Sequence, residues 1–433
     1  MRSEFAGLAR PALAARSRLA ESLELTEKPL PTFLQLTPLD PVFRADPHVV
    51  LDDLRARCPV HRDETSGSFV LTRYDDVRGL VSDRSLWRDP INAEEGATFQ
   101  RRFAEQPEGA ARSDTTSILM LDDPDHARIR RPLVQAFYAR VAKFRPEVER
   151  IVDETLDAID NFGPFDLMSA FCVPVPIDVI ASILGVDHDR LPEFREWSEG
   201  VIQSLNPFRT EEQTAQMERT NEALLDYFTA TIAERRENPR DDLISDMTAL
   251  QAQGAPLSDV ELRINLSALL IGGNLTTTDL IGNAARLLLL NPTELAKLRA
   301  DPGIINAVVE EALRYEPPVD ITGRIASHDL TVGDTEVKST QTFTLSLRAA
   351  NRDPEVFDDP HRFDVSRPHT PHVAFGGGAH ICIGAPLARL EAQVALLRLF
   401  QRFPNLRLAN PDEPPQWRTL PFFRGLEKLE LRA

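Results

Sequence analysis

One run of helical pattern in this 433-residue chain is far longer than any other and limits the folds that the sequence can adopt. The run starts at a capping box, Ser258-Asp-Val-Glu261, and ends at Asn291-Pro292, which corresponds to roughly 33 residues or about 50 Å of helix. A helix of this length crosses a whole domain, so the remaining elements must pack around it. We therefore predict a mainly α fold with small β-sheets, arranged around one long central helix.

Helical patterns also dominate the rest of the chain from Asp125 onward, and strand patterns are few. Further helices are predicted at 49–57, 146–159, 211–236 and 385–403, with a strand at 68–74 and alternating strands around Phe343, Leu345 and Leu347. Residues 1–40 carry several prolines and no sustained periodicity, so we expect an extended N-terminal arm. Residues 41–433 contain neither an internal repeat nor a linker, and we expect them to form a single domain.

The stretch at 89–118 combines Gly, Pro, Ser and charged residues without a clear pattern. Long loops inside a domain usually serve a function. We therefore expect this loop to be a substrate lid.

The charge balance and the cysteine content exclude several classes of protein. A net charge of −18 argues against a nucleic-acid partner, because phosphate-binding surfaces need a basic excess. Three scattered cysteines, Cys58, Cys172 and Cys382, cannot build a disulfide framework and indicate a reducing compartment. The most apolar stretch, Leu266–Ile271, is far shorter than the ~20 residues of a membrane span. We expect a cytoplasmic protein without a membrane segment.

A glycine-rich loop carries one of the three cysteines just before the last helix. Its sequence is Phe375-Gly-Gly-Gly-Ala-His-Ile-Cys-Ile-Gly384, and Pro386 stands in the first turn of the helix. A thiolate at this place faces the positive end of the helix dipole, and the glycines allow the backbone to approach a flat ligand. A phosphate loop is disfavoured because the Gly-Lys-Ser/Thr ending is absent. From these residues alone, a metal-binding thiolate and a buried structural cysteine both remain open.

With the neighbouring residues included, the loop resembles the haem loop of the cytochrome P450 family, the haem-thiolate monooxygenases. Phe375, Gly378, Cys382 and Gly384 match the family pattern Phe-x-x-Gly-x-x-x-Cys-x-Gly, and several further motifs follow in the family's order over residues 40–430. The resemblance implies the P450 fold, with the long helix above a haem b whose iron is bound by Cys382. Phe375, Gly378 and Gly384 would line the cofactor.

The same resemblance assigns a role to two residues that periodicity alone would leave on a solvated face. His126 and Arg130 are spaced i, i+4 and share one side of a helix, where they can grip a carboxylate. In the family this helix holds a haem propionate, and Arg324 and His380 match two further propionate contacts. The resemblance therefore implies four cofactor-binding residues besides the cysteine loop.

A Glu/Arg pair, Glu311 and Arg314, is spaced i, i+3 and would ordinarily be an exposed ion pair worth under ~1 kcal/mol. In the family the matching pair is buried and meets an arginine from a Pro-x-Arg-Phe segment. That segment is Pro360-His-Arg362-Phe363 in this chain. The resemblance implies that Glu311, Arg314 and Arg362 form a structural network.

The long helix contains two consecutive glycines, Gly272 and Gly273, which cost about 1 kcal/mol each relative to alanine. Close packing of helices is one explanation. The resemblance offers another, a local widening above the iron where dioxygen binds, with Asn274 and Thr276 also in the catalytic segment. Most family members carry an acid immediately before this threonine, but this chain has Leu275. We expect oxygenation that works but is less tightly coupled to electron supply.

The resemblance also implies the reaction and the partners: insertion of one oxygen atom from O2 into an apolar small molecule. No flavin or nicotinamide domain is visible, so electrons would come from a ferredoxin or flavodoxin and its NAD(P)H reductase. Arg128, Arg131 and Arg389 are candidate contacts for such an acidic carrier, although each also suits a solvated surface. The candidate substrate pocket comprises Leu269, Gly272, Val319, Ile321 and Phe422.

Three alternative functions stay open at this point. The nearest is a peroxide-using or non-oxygenating variant of the same haem site, which Leu275 favours. A non-catalytic haem sensor would need no electron supply, and Thr276 argues against it. A helical structural protein without haem is the third alternative.

Overall fold

The computed structural model describes residues 29–97, 103–104, 109–160, 163–368 and 371–433, and one helix, Asp259–Leu290, runs through its core. Ser258 caps this helix: its hydroxyl accepts the Glu261 N–H at 3.1 Å, and the Glu261 carboxylate accepts the Ser258 N–H at 2.8 Å. The helix has 32 residues, and its buried side chains lie on all its faces. The predicted central helix is therefore confirmed.

The helices are numbered here in chain order. They are α1 Pro41–Ala45, α2 Pro47–Arg57, α3 Tyr74–Ser82, α4 Asp125–Val141, α5 Arg145–Asp157, α6 Pro174–Leu184, α7 Leu191–Val201, α8 Glu211–Glu237, α9 Leu243–Ala252, α10 Asp259–Leu290, α11 Pro292–Ala300, α12 Ile305–Tyr315, α13 Leu347–Ala350 and α14 Ala385–Arg402. The largest hydrophobic cluster joins α10 to α4, α5, α6, α12 and α14. Apolar burial around α10 thus positions most of the molecule.

The strands form three small sheets. They are β1 Val60–Asp63, β2 Ser68–Leu71, β3 Phe165–Asp166, β4 Ile321–Ile325, β5 Leu330–Val332, β6 Thr335–Val337, β7 Thr342–Ser346, β8 Arg407–Leu408 and β9 Glu430–Arg432. The largest sheet has the order β1-β2-β7-β4, in which only the β2–β7 pair is parallel. The other sheets are β3-β9-β8 and the hairpin β5-β6. This mainly α architecture with small sheets confirms the predicted fold class.

The predicted helix bounds agree with the structure to within two residues, but the predicted strands need correction. The strand predicted at 68–74 ends at Leu71, because Tyr74 begins α3. The strand predicted around Phe343 and Leu345 is confirmed as β7, whose five residues are all buried, but Leu347 already belongs to α13. Both faces of this strand are buried, although its sequence alternates between polar and apolar residues.

Two expectations fall partly outside the described residues. Of the expected N-terminal arm, 29–40 is described, and it contains a short turn of 3-10 helix at Phe33–Leu36. The expected lid lacks 98–102 and 105–108, but its later end is fixed, since the Ile118 N–H donates to Oδ1 of Asn265 on α10 at 2.9 Å. Among the helices of the described ranges, none combines the length and apolarity that a bilayer crossing requires.

Candidate functional site

The cysteine loop folds back on itself immediately before α14. The Cys382 N–H donates to the Phe375 carbonyl at 3.0 Å, and Gly378 has a left-handed φ of 65°. A Cβ at Gly378 would lie 2.8 Å from the Val81 carbonyl oxygen, so only glycine fits between this loop and α3. The glycines that the sequence singled out therefore serve a close backbone approach.

Cys382 is accessible to solvent even though other parts of the chain surround its sulfur. The residue is exposed, yet burial by the surrounding protein is the largest influence and raises the pKa of its thiol above the ordinary 9.0. The N–H groups of Gly384 and Ala385 and the charge of Arg130 act in the opposite direction without prevailing. The helix terminus thus favours the thiolate, as the sequence argument expected, but burial opposes it. A bound metal cation would deprotonate the thiol.

Two histidines meet beside this loop. The ring centroids of His126 on α4 and His380 are 4.1 Å apart. His126 is 3% exposed, and its Nε2 has no hydrogen-bond partner among the described residues. Burial, with added repulsion from Arg130, lowers the pKa of His126. A buried ring nitrogen without a partner indicates a missing ligand atom.

Arginines crowd around the same point. Arg324, on β4, is 3% exposed and donates to the Val81 carbonyl at 2.8 Å. Arg130 donates to the Ile381 carbonyl, next to Cys382. Burial lowers the pKa of Arg324 to about 10, and burial with the charge of Arg88 and other cations lowers the pKa of His380 to about 2. Nearby groups of like charge therefore share this region at a high electrostatic cost.

Arg88 is a member of this cluster that sequence reasoning missed. Burial and then repulsion from Arg324 lower its pKa to about 9. Trp87 pairs with Ile325 through two backbone hydrogen bonds of 2.9 and 2.8 Å, and this long-range bridge carries Arg88 to the cluster. Pairing between residues more than 230 positions apart leaves no local signal in the sequence.

The cation cluster, defined as Arg88, His126, Arg130, Arg324 and His380, fits the haem that the resemblance implies. The neighbouring acid Asp122 is engaged, since its carboxylate accepts the N–H groups of Arg88 and Asp89 at 2.7 and 3.0 Å. The cluster therefore lacks enough negative charge of its own and is suited to a dicarboxylate. A haem would offer two propionates to this cluster and an iron to Cys382.

On α10, Gly272 and Thr276 lie on the open side of the helix. A Cβ at Gly272 would have no neighbour within 4 Å, and the Thr276 hydroxyl donates to the Gly272 carbonyl at 2.7 Å. The helix is α throughout, so the expected local widening is wrong. The hydroxyl instead uses the carbonyl four residues back, a bond that can bend a helix.

Gly273 and Asn274 face other helices rather than the open side. A Cβ at Gly273 would lie 3.2 Å from Cγ1 of Ile180, so this glycine permits close packing against α6. The amide of Asn274 is buried and donates to the Ser198 hydroxyl of α7 at 2.7 Å. The two residues were predicted as catalytic. Their contacts instead support the packing explanation, because successive helical residues point in different directions.

Three of the predicted pocket residues come together. The Asp320 N–H donates to the Phe422 carbonyl at 2.8 Å, and Val319 forms a bridge with Phe423. Val319, Ile321 and Phe422 are therefore neighbours, whereas Leu269 lies on α10 one turn before Gly272. Each of these four side chains is apolar.

The structure brings together the side chains of two of the three residues expected to form a network. Glu311 and Arg314 form a buried bidentate pair with both distances 2.7 Å. Arg362 contributes only its carbonyl, at 3.1 Å from Arg314, and its side chain is 60% exposed and bonded to Asp364. Arg367 approaches Glu311 instead, at 3.5 Å. The irregular segment turns the side chain of Arg362 outward, which the Pro-x-Arg-Phe motif could not indicate.

Comparisons with known proteins agree with this geometry. The cytochrome P450 family model matches residues 303–421. Cytochrome P450 107B1 of Saccharopolyspora erythraea is 38% identical over 92% of this chain and 97% of that protein. The 6-deoxyerythronolide B hydroxylase of the same organism is 35% identical over 90% of this chain and 96% of that protein. The ligand-free structure of Mycobacterium smegmatis CYP164A2 has a TM-score of 0.82 and 36% identity, covering 92% of this chain and 99% of that one.

Proposed function

This chain is a monooxygenase of the cytochrome P450 family, and on that premise we propose that Cys382 binds the iron of a haem b whose propionates bind the cation cluster. The observation that carries the proposal is the cation cluster, with its unpartnered His126 nitrogen, beside an accessible cysteine. When bound, the haem supplies activation of dioxygen, and its thiolate ligand favours O–O cleavage. The protein supplies positioning, protons and exclusion of water.

Each part of the site has a separate task in this proposal. Arg88, Arg324 and the two histidines hold carboxylates that an apolar cavity cannot bury without partners. The Thr276 hydroxyl, which has the Gly272 carbonyl as its acceptor, is the group that passes protons on the open side of α10. Leu275 cannot ionise, so Thr276 must receive its protons from water or from the substrate.

A carbon monoxide spectrum of the reduced protein tests the ligand. We expect the red-shifted Soret band of thiolate ligation in the wild type and in Cys58→Ser, and its loss in Cys382→Ser. Cys58 is a matched control because it is a partly buried cysteine far from the loop in sequence. An unchanged spectrum in Cys382→Ser would refute the assignment.

We propose an apolar small molecule as the substrate and hydroxylation as the reaction. The apolar residues Val319, Ile321 and Phe422 support the first part, and the name of the 6-deoxyerythronolide B hydroxylase supports the second. A screen of apolar compounds, 6-deoxyerythronolide B among them, for the ferric spin-state shift tests this. Hits that are all charged would contradict an apolar pocket.

We further propose that electrons arrive from a ferredoxin or flavodoxin with its NAD(P)H reductase. Of the three expected contacts, Arg128 is paired with Glu261 and Arg389 with Glu310. Arg131 is exposed and has no ion-pair partner in the described part of the chain. Docking of an acidic carrier therefore depends mainly on Arg131.

Reduction kinetics test this docking site. We expect the reduction rate to fall with ionic strength and to be lower in Arg131→Glu than in Arg219→Glu, an equal charge change on the exposed side of α8. Rates that do not depend on salt would exclude electrostatic docking.

Leu275 favours a second candidate, a peroxide-using enzyme, because the usual acid before the threonine is absent. Turnover with NAD(P)H and the carrier supports the first proposal. Turnover with peroxide alone would support the second.

A further inference from the structure

A cluster of potential metal ligands lies on the side of α2, away from the cation cluster in sequence and in the elements that build it. His48 and Asp52 are one turn apart on α2, and His361 precedes Arg362 in the long segment before the cysteine loop. Nε2 of His361 is 2.9 Å from Oδ2 of Asp52, and Nδ1 of His48 is 4.0 Å from Oδ1 of Asp52. One ligand atom from each residue lies within 4.8 Å of the others. Within the described residues this is the one such group of three.

His48 provides an independent indication that a ligand belongs here. It is 7% exposed, and neither ring nitrogen has a hydrogen-bond partner among the described residues. Its ring lies 5.3 Å from the ring of His361, at an angle of 73°. Burying an imidazole with two unpartnered nitrogens is costly, and an ion between the rings would remove part of that cost.

The chemistry of these donors suits zinc. Imidazole nitrogen and carboxylate oxygen bind Zn²⁺ at about 2.0–2.2 Å, which places neighbouring ligands of a tetrahedral site about 3.3 Å apart. The observed distances require shifts of about 1 Å, which side chains at a solvent boundary can make. Asp52 and His361 are 33% and 46% exposed, so an ion has an entry path and water can complete the coordination.

The surrounding residues define the state of each ligand. Burial first, then the charges of Arg352 and Arg348, lower the pKa of His48 well below its usual range, so the imidazole is neutral and able to bind a metal. Arg55 pairs with Asp52 and orients its carboxylate. The positive charges of Arg352, Arg348 and Arg55 also repel a divalent cation, and this repulsion limits the affinity of the site for the metal.

Arg352 also contacts His361 directly, at 3.2 Å between NH1 and Nδ1. With a metal at Nε2, the ring proton of His361 moves to Nδ1, and this contact is lost. Arg352 keeps its two bonds to the Tyr315 carbonyl, of 3.0 and 2.6 Å, and therefore stays in place.

We propose that His48, Asp52 and His361 bind a zinc ion, with water as the fourth ligand. The ion ties α2 to the segment that leads into the Glu311 and Arg314 network. This site is independent of the proposed function, since none of its residues belongs to the haem site.

The test is zinc binding by the haem-loaded protein, measured by equilibrium dialysis and elemental analysis with the haem iron as internal standard. We expect a single zinc ion per haem iron in the wild type. His361→Ala and Asp52→Asn weaken binding at least about tenfold. His328→Ala, which removes an exposed histidine from another loop, retains wild-type binding. Both test residues are partly exposed, so their variants avoid the buried His48.

Thermal unfolding supplies a second measurement, because a ligand that binds the folded state raises the midpoint. Zinc should raise the midpoint of the wild type and of His328→Ala but not that of Asp52→Asn. Equal zinc binding in all variants, or none in the wild type, would overturn the proposal. The haem spectrum of the same samples keeps the two proposals apart. If only the metal site is correct, Cys382→Ser keeps the wild-type spectrum and still binds zinc; if only the haem ligand is correct, it loses the thiolate spectrum and the wild type binds no zinc.

Discussion

At the scale of single residues, Arg88 is the clearest case of a side chain whose role depends on its neighbours. It is partly buried beside Arg324, a group of its own charge, and its Nη1 donates to the Thr322 hydroxyl at 2.8 Å. Holding a positive charge next to other positive charges costs free energy, so a partner of opposite charge is expected at this position. Together with His126 and Arg324, it defines where the haem carboxylates are expected.

Replacing Arg88 should therefore weaken haem retention. In Arg88→Gln we expect haem transfer to an apo-globin acceptor to accelerate about 10- to 100-fold, since a hydrogen bond to a charged group contributes about 1.5–3 kcal/mol. Arg131→Gln, the same change at an exposed position, should leave the rate unaltered. Equal rates in the two variants would remove Arg88 from the haem site.

Leu275 is the second residue with a consequence of its own. It stands immediately before Thr276 and brings no ionisable group to the open side of α10. An acid at this position can relay protons, whereas leucine cannot. The Leu275→Glu variant should couple NAD(P)H consumption to product formation as well as the wild type or better, measured as product formed per NAD(P)H against peroxide released. Markedly worse coupling would show that protons reach Thr276 by another route.

At the scale of elements, the segment between α13 and the cysteine loop brings the side chain of Arg367, rather than that of Arg362, towards Glu311 of α12. Arg367 donates to the carbonyls of Asp358 and Asp359 and approaches Glu311. The exposed side chain of Arg362 makes one ion pair with Asp364. Buried and exposed charges differ in their contribution to stability.

This difference predicts unequal effects of the same substitution. Arg367→Gln should lower the free energy of unfolding by about 1–3 kcal/mol, because it removes the hydrogen bonds that a charged side chain, only 12% exposed, donates to the carbonyls of Asp358 and Asp359. Arg362→Gln should change it by under ~1 kcal/mol. Chemical denaturation of both variants measures the contrast. A larger loss of unfolding free energy in Arg362→Gln than in Arg367→Gln would show that the side chain of Arg362 does belong to the network with Glu311 and Arg314.

At the scale of the whole molecule, buried carboxylates couple stability to pH. Burial opposes ionisation of Glu310, but hydrogen bonds from His372 and Arg389 outweigh it and hold its pKa at about 2. Burial likewise opposes ionisation of Glu261, and Arg128 with the Ser258 N–H holds its pKa at about 2. Both values lie below the ordinary 4.5, so these groups stabilise the folded chain above pH 4.5.

The stabilisation should disappear as the pH falls from about 4.5 to about 2, because the unfolded chain takes up these protons first. Glu310→Gln should be less stable than the wild type at neutral pH, by about 1–3 kcal/mol, and the difference should vanish near pH 2. Unfolding curves of the pair across this range measure the effect. A difference that is independent of pH would assign the loss to packing.

The sequence by itself determined the elements that local chemistry controls. Ser258 and Glu261, which are three residues apart, bond to each other's backbone and cap the long helix. The apolar residues along the helix account for its position in the core. The glycines around Cys382 stand within a few residues of it, and Glu311 and Arg314 are only three residues apart. Such short spacings can be recognised in the sequence, so the cysteine loop and the Glu311 and Arg314 pair could be predicted.

Only the tertiary structure decided which long-range neighbours meet. Arg88 reaches Arg324 through the bridge between Trp87 and Ile325, and His48 meets His361 across more than 300 positions. Whether Asn274 faced the open side or Ser198 depended on where α7 packs against α10. Such contacts arise when separate elements pack together. The periodicity of a helix shows which of its faces is buried, but it does not show which residue of another element will lie against that face.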